Sequence, residues 1–210
     1  MFGIVHFEAF LLACILLNLI PGPDTFYVLG RSLSQGKRIG VASALGISGG
    51  ALCHTFAAAI GLSAIITASQ TAFMAVKFIG AGYLIYLGTK MLLSKPVSMG
   101  NPNSFGRSSG VAAFKQGLLT NVLNPKVALF FLAFLPQFIE PNTSSYFLSF
   151  MFLGCVFVTT STIWCVGLAW LSGLASAHLQ QNPKIMAYIT KGTGVLLAGL
   201  GLRLALVSVD

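Results

Sequence analysis

Acidic residues are almost missing from this chain. Its 210 residues hold Asp or Glu at only four positions, Glu8, Asp24, Glu140 and Asp210, and charges of both signs make up 8%. A water-soluble domain carries about 25% charged residues because its surface must be hydrated, so this composition excludes one. Cysteine is scarce too: Cys14, Cys53, Cys155 and Cys165 sit singly in apolar stretches with no CxxC spacing. That excludes a disulfide framework and a paired-cysteine redox or zinc motif, and leaves four small hydrophobes. No Gly-rich phosphate loop of the ATPase type is present, which argues against a primary pump. The first apolar run has no basic segment before it and no small-residue cleavage site after it, so it reads as an uncleaved span rather than a signal peptide.

Apolar length is what the chain has instead. Hydrophobic residues reach 56% and mean hydropathy is +0.87. The net charge of +8 does not mark a nucleic-acid partner, because the basic residues stand singly between apolar runs and form no basic face with interleaved aromatics. Lipid is the solvent that this composition requires. At about 20 residues per span, the first span covers 7–29 and is interrupted at Pro21-Gly22-Pro23, with a basic hinge at 31–38 after it. Residues 39–76 contain no charge at all, and the polar stretch 67–71 divides this long run into a second span ending at 66 and a third at 72–93. A Ser-, Gly-, Asn- and Pro-rich linker occupies 94–112. The fourth span is 113–138, the fifth lies within 146–175 and the sixth is 185–206. The expected fold is an all-α integral membrane protein, one transmembrane domain over 1–210, with six spans; the broken first and fourth leave five defensible.

Basic residues are divided unevenly between the two sides. Arg31, Lys37 and Arg38, then Lys90, Lys95, Arg107 and Lys115, then Lys184 and Lys191 fall in or beside the first, third and fifth connections, nine in all, against Arg203 near the other surface. The positive-inside rule puts the odd connections in the cytoplasm and both termini outside.

The linker also divides the chain into two similar halves, about 1–93 and 113–210. Each opens with a span broken at a similar depth, Asn18-Leu-Ile-Pro21-Gly22-Pro23-Asp24 in the first and Asn121-Val-Leu-Asn124-Pro125-Lys126 in the second, and the two align without gaps from the asparagine through the break. Three spans is an odd number, so two such halves insert with opposite orientation, and matched broken helices in inverted repeats point to a transporter's binding site. Proline removes a backbone donor and frees a carbonyl that lipid cannot satisfy, so each break must face protein or a polar cavity. Lys126 lies 11 residues past Lys115 and Asp24 seven before Arg31, depths of about 16 Å and 10 Å at 1.5 Å per residue. A charge there costs about 2.5–3.5 kcal/mol or more unless it is paired or wetted. Two readings of Asp24 and Lys126 follow, a substrate site or an ion pair that ties the repeats. His54, among Gly46, Gly49 and Gly50, is either a site histidine or a hydrogen-bonded packing residue. Gly46-x-x-x-Gly50 and Gly36-x-x-x-Gly40 mean close helix packing within one chain, and less often the face of a homo-oligomer.

These residues resemble those of the bacterial lysine-exporter (LysE/RhtB) family. The resemblance rests on Pro21-Gly22-Pro23-Asp24, Gln35-Gly36-Lys37-Arg38-Ile39-Gly40, Gly46-Ile-Ser-Gly49 and Gly80-Ala-Gly82-Tyr83 in the first half. In the second half it rests on Gly117-Leu-Leu-Thr120-Asn121-Val-Leu-Asn124-Pro125-Lys126 and Phe134-Leu-Pro136-Gln137-Phe138. It covers essentially the whole chain. It implies a bacterial inner-membrane protein that exports amino acids or close derivatives such as homoserine and its lactone, driven by the proton motive force, with no cofactor and no catalytic residues. The scarcity of acids favours a neutral amino acid over lysine or arginine. Asn18, Pro21, Gly22, Pro23, Asp24, His54, Asn121, Asn124, Pro125 and Lys126 are the candidate site for substrate and protons. A divalent or cadmium-type cation exporter is the rival reading, but such a site needs clustered carboxylate, imidazole or thiolate ligands, and Asp24, Cys53 and His54 lack ligand spacing.

The charge division makes a direct prediction. Cysteines placed singly across 95–107 should react with an impermeant thiol reagent in inverted vesicles and not in intact cells; labelling from outside the cell would reverse the topology.

Overall fold

The computed structural model describes residues 3–93, 106–140, 143, 145–172 and 183–206. Among these, apart from an isolated antiparallel bridge between Ile4 and Ile139, all regular structure is helical. The first span is a bent pair, α1 (Phe7–Leu19) and α2 (Pro23–Gln35), which meet at 50°. The second is α3 (Lys37–Ala57), a π turn at Ala58–Leu62 and α4 (Ser63–Ala68), together long and apolar enough to cross a bilayer. α5 (Gln70–Leu93) completes the first half.

The second half repeats the plan. α6 (Gly110–Val122) and α7 (Pro125–Leu129) form another bent pair, and the path continues through a π segment (Phe130–Phe134) and a 3₁₀ turn (Leu135–Phe138), with a bend of 48°. Pro136 has no N–H to return to the carbonyl four residues earlier, which accounts for the irregular turns around it. α8 (Tyr146–Trp170) is a second helix able to cross by itself, and α9 (Pro183–Leu206) is the last. The chain is thus an all-helical membrane protein with broken first and fourth segments.

Equivalent helices of the two halves pack on each other, α3 on α8 and α5 on α9, while α6 packs on α3 and α2. That is the pattern a two-fold pseudo-axis produces. The basic hinge expected at 31–38 is much shorter in the structure. α2 runs on to Gln35, and the turn is made at Gly36, whose φ of 85° suits glycine and whose N–H bonds back to the Ser32 carbonyl.

The core is aromatic. Phe10, Phe130, Phe131, Phe134, Phe138, Phe150 and Phe157 are buried where α1, the α7 segment and α8 meet. Phe130 and Phe157 have centroids 4.9 Å apart, and Phe134 and Phe138 4.8 Å. Large side chains such as Leu12, Ile60, Ile79, Ile163 and Leu202 face outward and exposed, which suits a surface solvated by lipid. Because lipid tails give helices no hydrophobic reason to associate, close backbone approach must hold them. A Cβ on Gly46 would lie 2.1 Å from the Phe114 carbonyl oxygen, and one on Gly117 2.5 Å from that of Ser43, so α3 and α6 meet backbone to backbone. α5 and α9 meet the same way at Gly88, Gly194 and Gly201.

Gly46→Ala should therefore destabilise by about 1–3 kcal/mol, because the clash is with backbone and not with a movable side chain. Gly82→Ala meets nothing within 4 Å and should be neutral or gain up to about 1 kcal/mol of helix propensity. Thermal unfolding of the purified variants in detergent distinguishes the two.

Candidate functional site

Both breaks are built by proline, and both leave a carbonyl without its helical partner. In α1 the Leu17 carbonyl would take its bond from the N–H of residue 21, which is Pro21. In α6 the Asn121 carbonyl would take its bond from the N–H of residue 125, which is Pro125. Each is served by a side chain of the other half. Lys126 Nζ donates to the Leu17 carbonyl at 3.2 Å and to that of Ile20 at 3.1 Å. His54 Nε2 lies 3.0 Å from the Asn121 carbonyl, which also accepts from the Asn124 N–H at 2.9 Å. A carbonyl only accepts, so the His54 proton is assigned to Nε2.

Gly22 lies against the first latch, since a Cβ there would come to 3.2 Å from the Lys126 ammonium. Gly50 makes the second latch possible. A Cβ on it would meet Asn121 Cβ at 2.6 Å, so its bare backbone lets α3 bring His54 to the second break. The His54 ring also stacks on Phe131, with centroids 5.8 Å apart.

Asp24 is the first group the breaks enclose. It sits in the first turn of α2, where the helix dipole favours an anion, and it is 8% exposed. Asn121 and Asn124, both buried, donate through Nδ2 to Asp24 Oδ2, each at 2.9 Å. Asn124 works at both ends, because its Oδ1 also accepts from the Lys126 N–H at 3.0 Å and caps α7. A carboxylate only accepts, so both amides are oriented by it. That leaves two acceptors over: Asp24 Oδ1 and Asn121 Oδ1 are buried with no hydrogen-bond partner. Buried polar atoms without partners are rare and costly, and these two acceptors sit on side chains that are hydrogen-bonded to each other.

Several expectations change here. Asp24 and Lys126 are not an ion pair: no Lys or Arg nitrogen lies within 4.0 Å of the Asp24 carboxylate among the described residues, because the ammonium is held by the α1 carbonyls. The two charges are nonetheless equivalent, each the second residue of its restarted helix. A gapless match of the halves from Asn18 and Asn121 is off by one, since the first break (residues 20–22) is one residue longer than the second (123–124). Asn18 is also outside the group, where its Nδ2 donates to Thr160 Oγ1 on α8 at 3.3 Å. Pro21, Gly22, Pro23, Asp24, His54, Asn121, Asn124, Pro125 and Lys126 do converge. Among the described residues no three His, Cys, Asp or Glu side chains gather as a metal-binding group. The side chains of Lys77 and Arg203, and all of Lys95, lie outside the described residues.

A second polar group went unread in the sequence. Tyr27 and Arg31 follow Asp24 by three and seven residues, one face of α2. Arg31 is buried and donates to the Gly106 carbonyl at 2.9 Å and to Gln116 Oε1. The Tyr27 hydroxyl donates to the Ala113 carbonyl at 2.8 Å. Gln35 accepts from the Ser108 N–H at 2.7 Å and donates to the Gly106 carbonyl at 3.1 Å. Together they seal the α2–α6 seam between Asp24 and the basic end of the bundle. The i, i+3, i+7 spacing was available as a signal, but the hinge reading hid it.

A helical membrane protein with matched broken helices around a buried carboxylate belongs to the class of translocators. A model of the LysE type translocator family matches residues 15–208, and the chain belongs to that family. It is 32% identical over 197 residues to an uncharacterized membrane protein of Vibrio cholerae, covering 94% of this chain and 95% of the relative. It is 30% identical over 207 residues to another of Pseudomonas aeruginosa, covering 97% and 96%. A leucine efflux protein of Salmonella choleraesuis is 31% identical over 205 residues, covering 97% and 96%. No solved structure matches the chain.

The latch can be tested by supplying the missing donor. Lys126→Met should cost about 1–3 kcal/mol for each carbonyl left bare. Pro21→Ala, which restores an N–H for the Leu17 carbonyl, should recover part of that loss only in the Lys126→Met background. A double-mutant cycle of unfolding free energies reads the coupling; strict additivity would mean that Lys126 does not replace the proline's missing donor.

Proposed function

We propose that this protein is a secondary transporter that exports a neutral amino acid, or a close derivative such as homoserine or its lactone, from the cytoplasm of a bacterium across the inner membrane. The observation that carries this reading is the pair of buried acceptors, Asp24 Oδ1 and Asn121 Oδ1, with no donor of their own. A substrate ammonium offers three N–H donors and one positive charge, and it suits the unpartnered oxygen of a carboxylate. On the other side of the break, the Lys126 ammonium is bound to neutral carbonyls, so a substrate carboxylate can compete for it. A zwitterion thus finds both of its partners between the two broken helices. Family membership and the likeness to leucine efflux proteins support export and a neutral substrate.

In this mechanism Asp24 takes a proton or the substrate ammonium, not both, and that exclusion couples the two fluxes. The α2–α6 seam held by Arg31, Gln116 and Tyr27 is the gate on the cytoplasmic side. Opening it admits substrate to Asp24, and closing it restores the arrangement described above.

Reconstituted vesicles with an imposed pH gradient and labelled leucine test the reading. Asp24→Asn should lose gradient-driven accumulation by about 100-fold or more while retaining part of the downhill exchange, since the amide keeps its neighbours but cannot carry the proton. Full gradient-driven transport by Asp24→Asn would reduce this residue to a structural role.

A further inference from the structure

Ammonium and carboxylate have partners in this site, but the substrate's side chain so far has none. A cavity of about 10 Å³ adjoins Lys126, the space about one water-sized sphere takes up. Its walls are Ala13 and Leu17 of α1, Leu84 of α5, Phe130 and Phe134 of the α7 segment and Leu197 of α9. Lys126 is the sole polar residue among them. Leu17 joins the cavity to the latch, for its side chain lines the wall while its carbonyl holds the ammonium.

The cavity also lies on a seam. Leu84 and Leu197 are 3% and 2% exposed, and both come from the α5–α9 pair. That pair is closed on itself through Gly88, Gly194 and Gly201, so it can shift as one piece without losing its own packing. The remaining wall belongs to the same buried cluster as Leu84 and Leu197, and α5 touches it closely at Gly80, where a Cβ would lie 2.6 Å from that of Ala133.

We infer, on the reading that the protein exports an amino acid, that this cavity is the subsite for the substrate's side chain, that the side chain is aliphatic, and that Leu84 and Leu197 set its size. The chemistry is that of a site with apolar walls and one polar anchor. With its carboxylate on Lys126 and its ammonium on Asp24, the amino acid directs its side chain past Lys126 into the apolar wall. A cationic side chain would stand beside the Lys126 ammonium without a counter-charge, which disfavours lysine and arginine. At about 10 Å³ the cavity is smaller than a leucine side chain, so binding moves Leu84 and Leu197 outward with their helix pair.

Counterflow of labelled alanine and leucine in proteoliposomes of the full chain, with unlabelled alanine, valine, leucine, phenylalanine and lysine as competitors, tests this. Leu84→Phe should weaken competition by leucine roughly tenfold relative to competition by alanine, the scale on which one or two methylenes are discriminated. Leu84→Ala and Leu197→Ala should move the ranking the other way and strengthen phenylalanine against leucine. Alanine counterflow shows that a variant is folded. If Leu84→Phe does not insert, the two alanine variants carry the test, and variants that counterflow alanine with the wild-type ranking overturn the subsite. Wild-type protein that shows no amino-acid counterflow would instead overturn the exporter reading on which the subsite rests.

Discussion

A proline in a transmembrane helix leaves a carbonyl that lipid cannot satisfy, and this chain places such a proline at the end of the first half of two separate spans. The structure depends on how those carbonyls are met. Water is not needed for either, because each half supplies the donor the other lacks: Lys126 reaches the end of α1, and His54 reaches the end of α6. The two breaks therefore stabilise each other, and neither half is complete alone. The glycines at 22 and 50 follow from the same constraint, since a side chain at either would crowd the donor or the helix that delivers it.

This cross-supply also shapes the chemistry. Lys126 is engaged by neutral carbonyls and Asp24 by neutral amides, so each buried charge is held without being cancelled by the other. A direct ion pair would be hard for a zwitterion to open, because a ligand would have to replace a strong interaction at both ends together. Charges held by neutral dipoles can be recruited one at a time. On the proposed reading, the acceptors left over at Asp24 and Asn121 are where the substrate ammonium binds.

That packing has two characters. The centre, α1 with the α7 segment and α8, is filled by phenylalanines whose rings interlock, which makes it stiff. The α5–α9 pair is joined by glycine contacts and meets the centre along a seam with a small void. On the proposed reading the α5–α9 pair would yield along that seam, and each body would keep its own backbone hydrogen bonds out of lipid.

Composition and punctuation were enough to read the class and the break points from the sequence. Too few charges for a water-facing surface, apolar runs of spanning length and two matched prolines state what lipid and backbone hydrogen bonding require, and both requirements act locally along the chain. The convergence of Asp24, Asn121, Asn124 and Lys126 was legible for the same reason: an intramembrane charge next to a freed carbonyl has few places to go. Partner choice was not legible. Whether Lys126 meets Asp24 or the α1 carbonyls, whether Asn18 faces the site or Thr160, and whether Arg31 lies in a hinge or inside a helix all turn on distances between residues far apart in the chain. A one-residue difference in break length shifts which positions are equivalent, and pattern matching from Asn18 and Asn121 could not sense it. Only the tertiary structure fixed those pairings, because side-chain hydrogen bonds are decided by the last few ångströms of approach between helices, and here Gly22 and Gly50 stand at the points of closest approach.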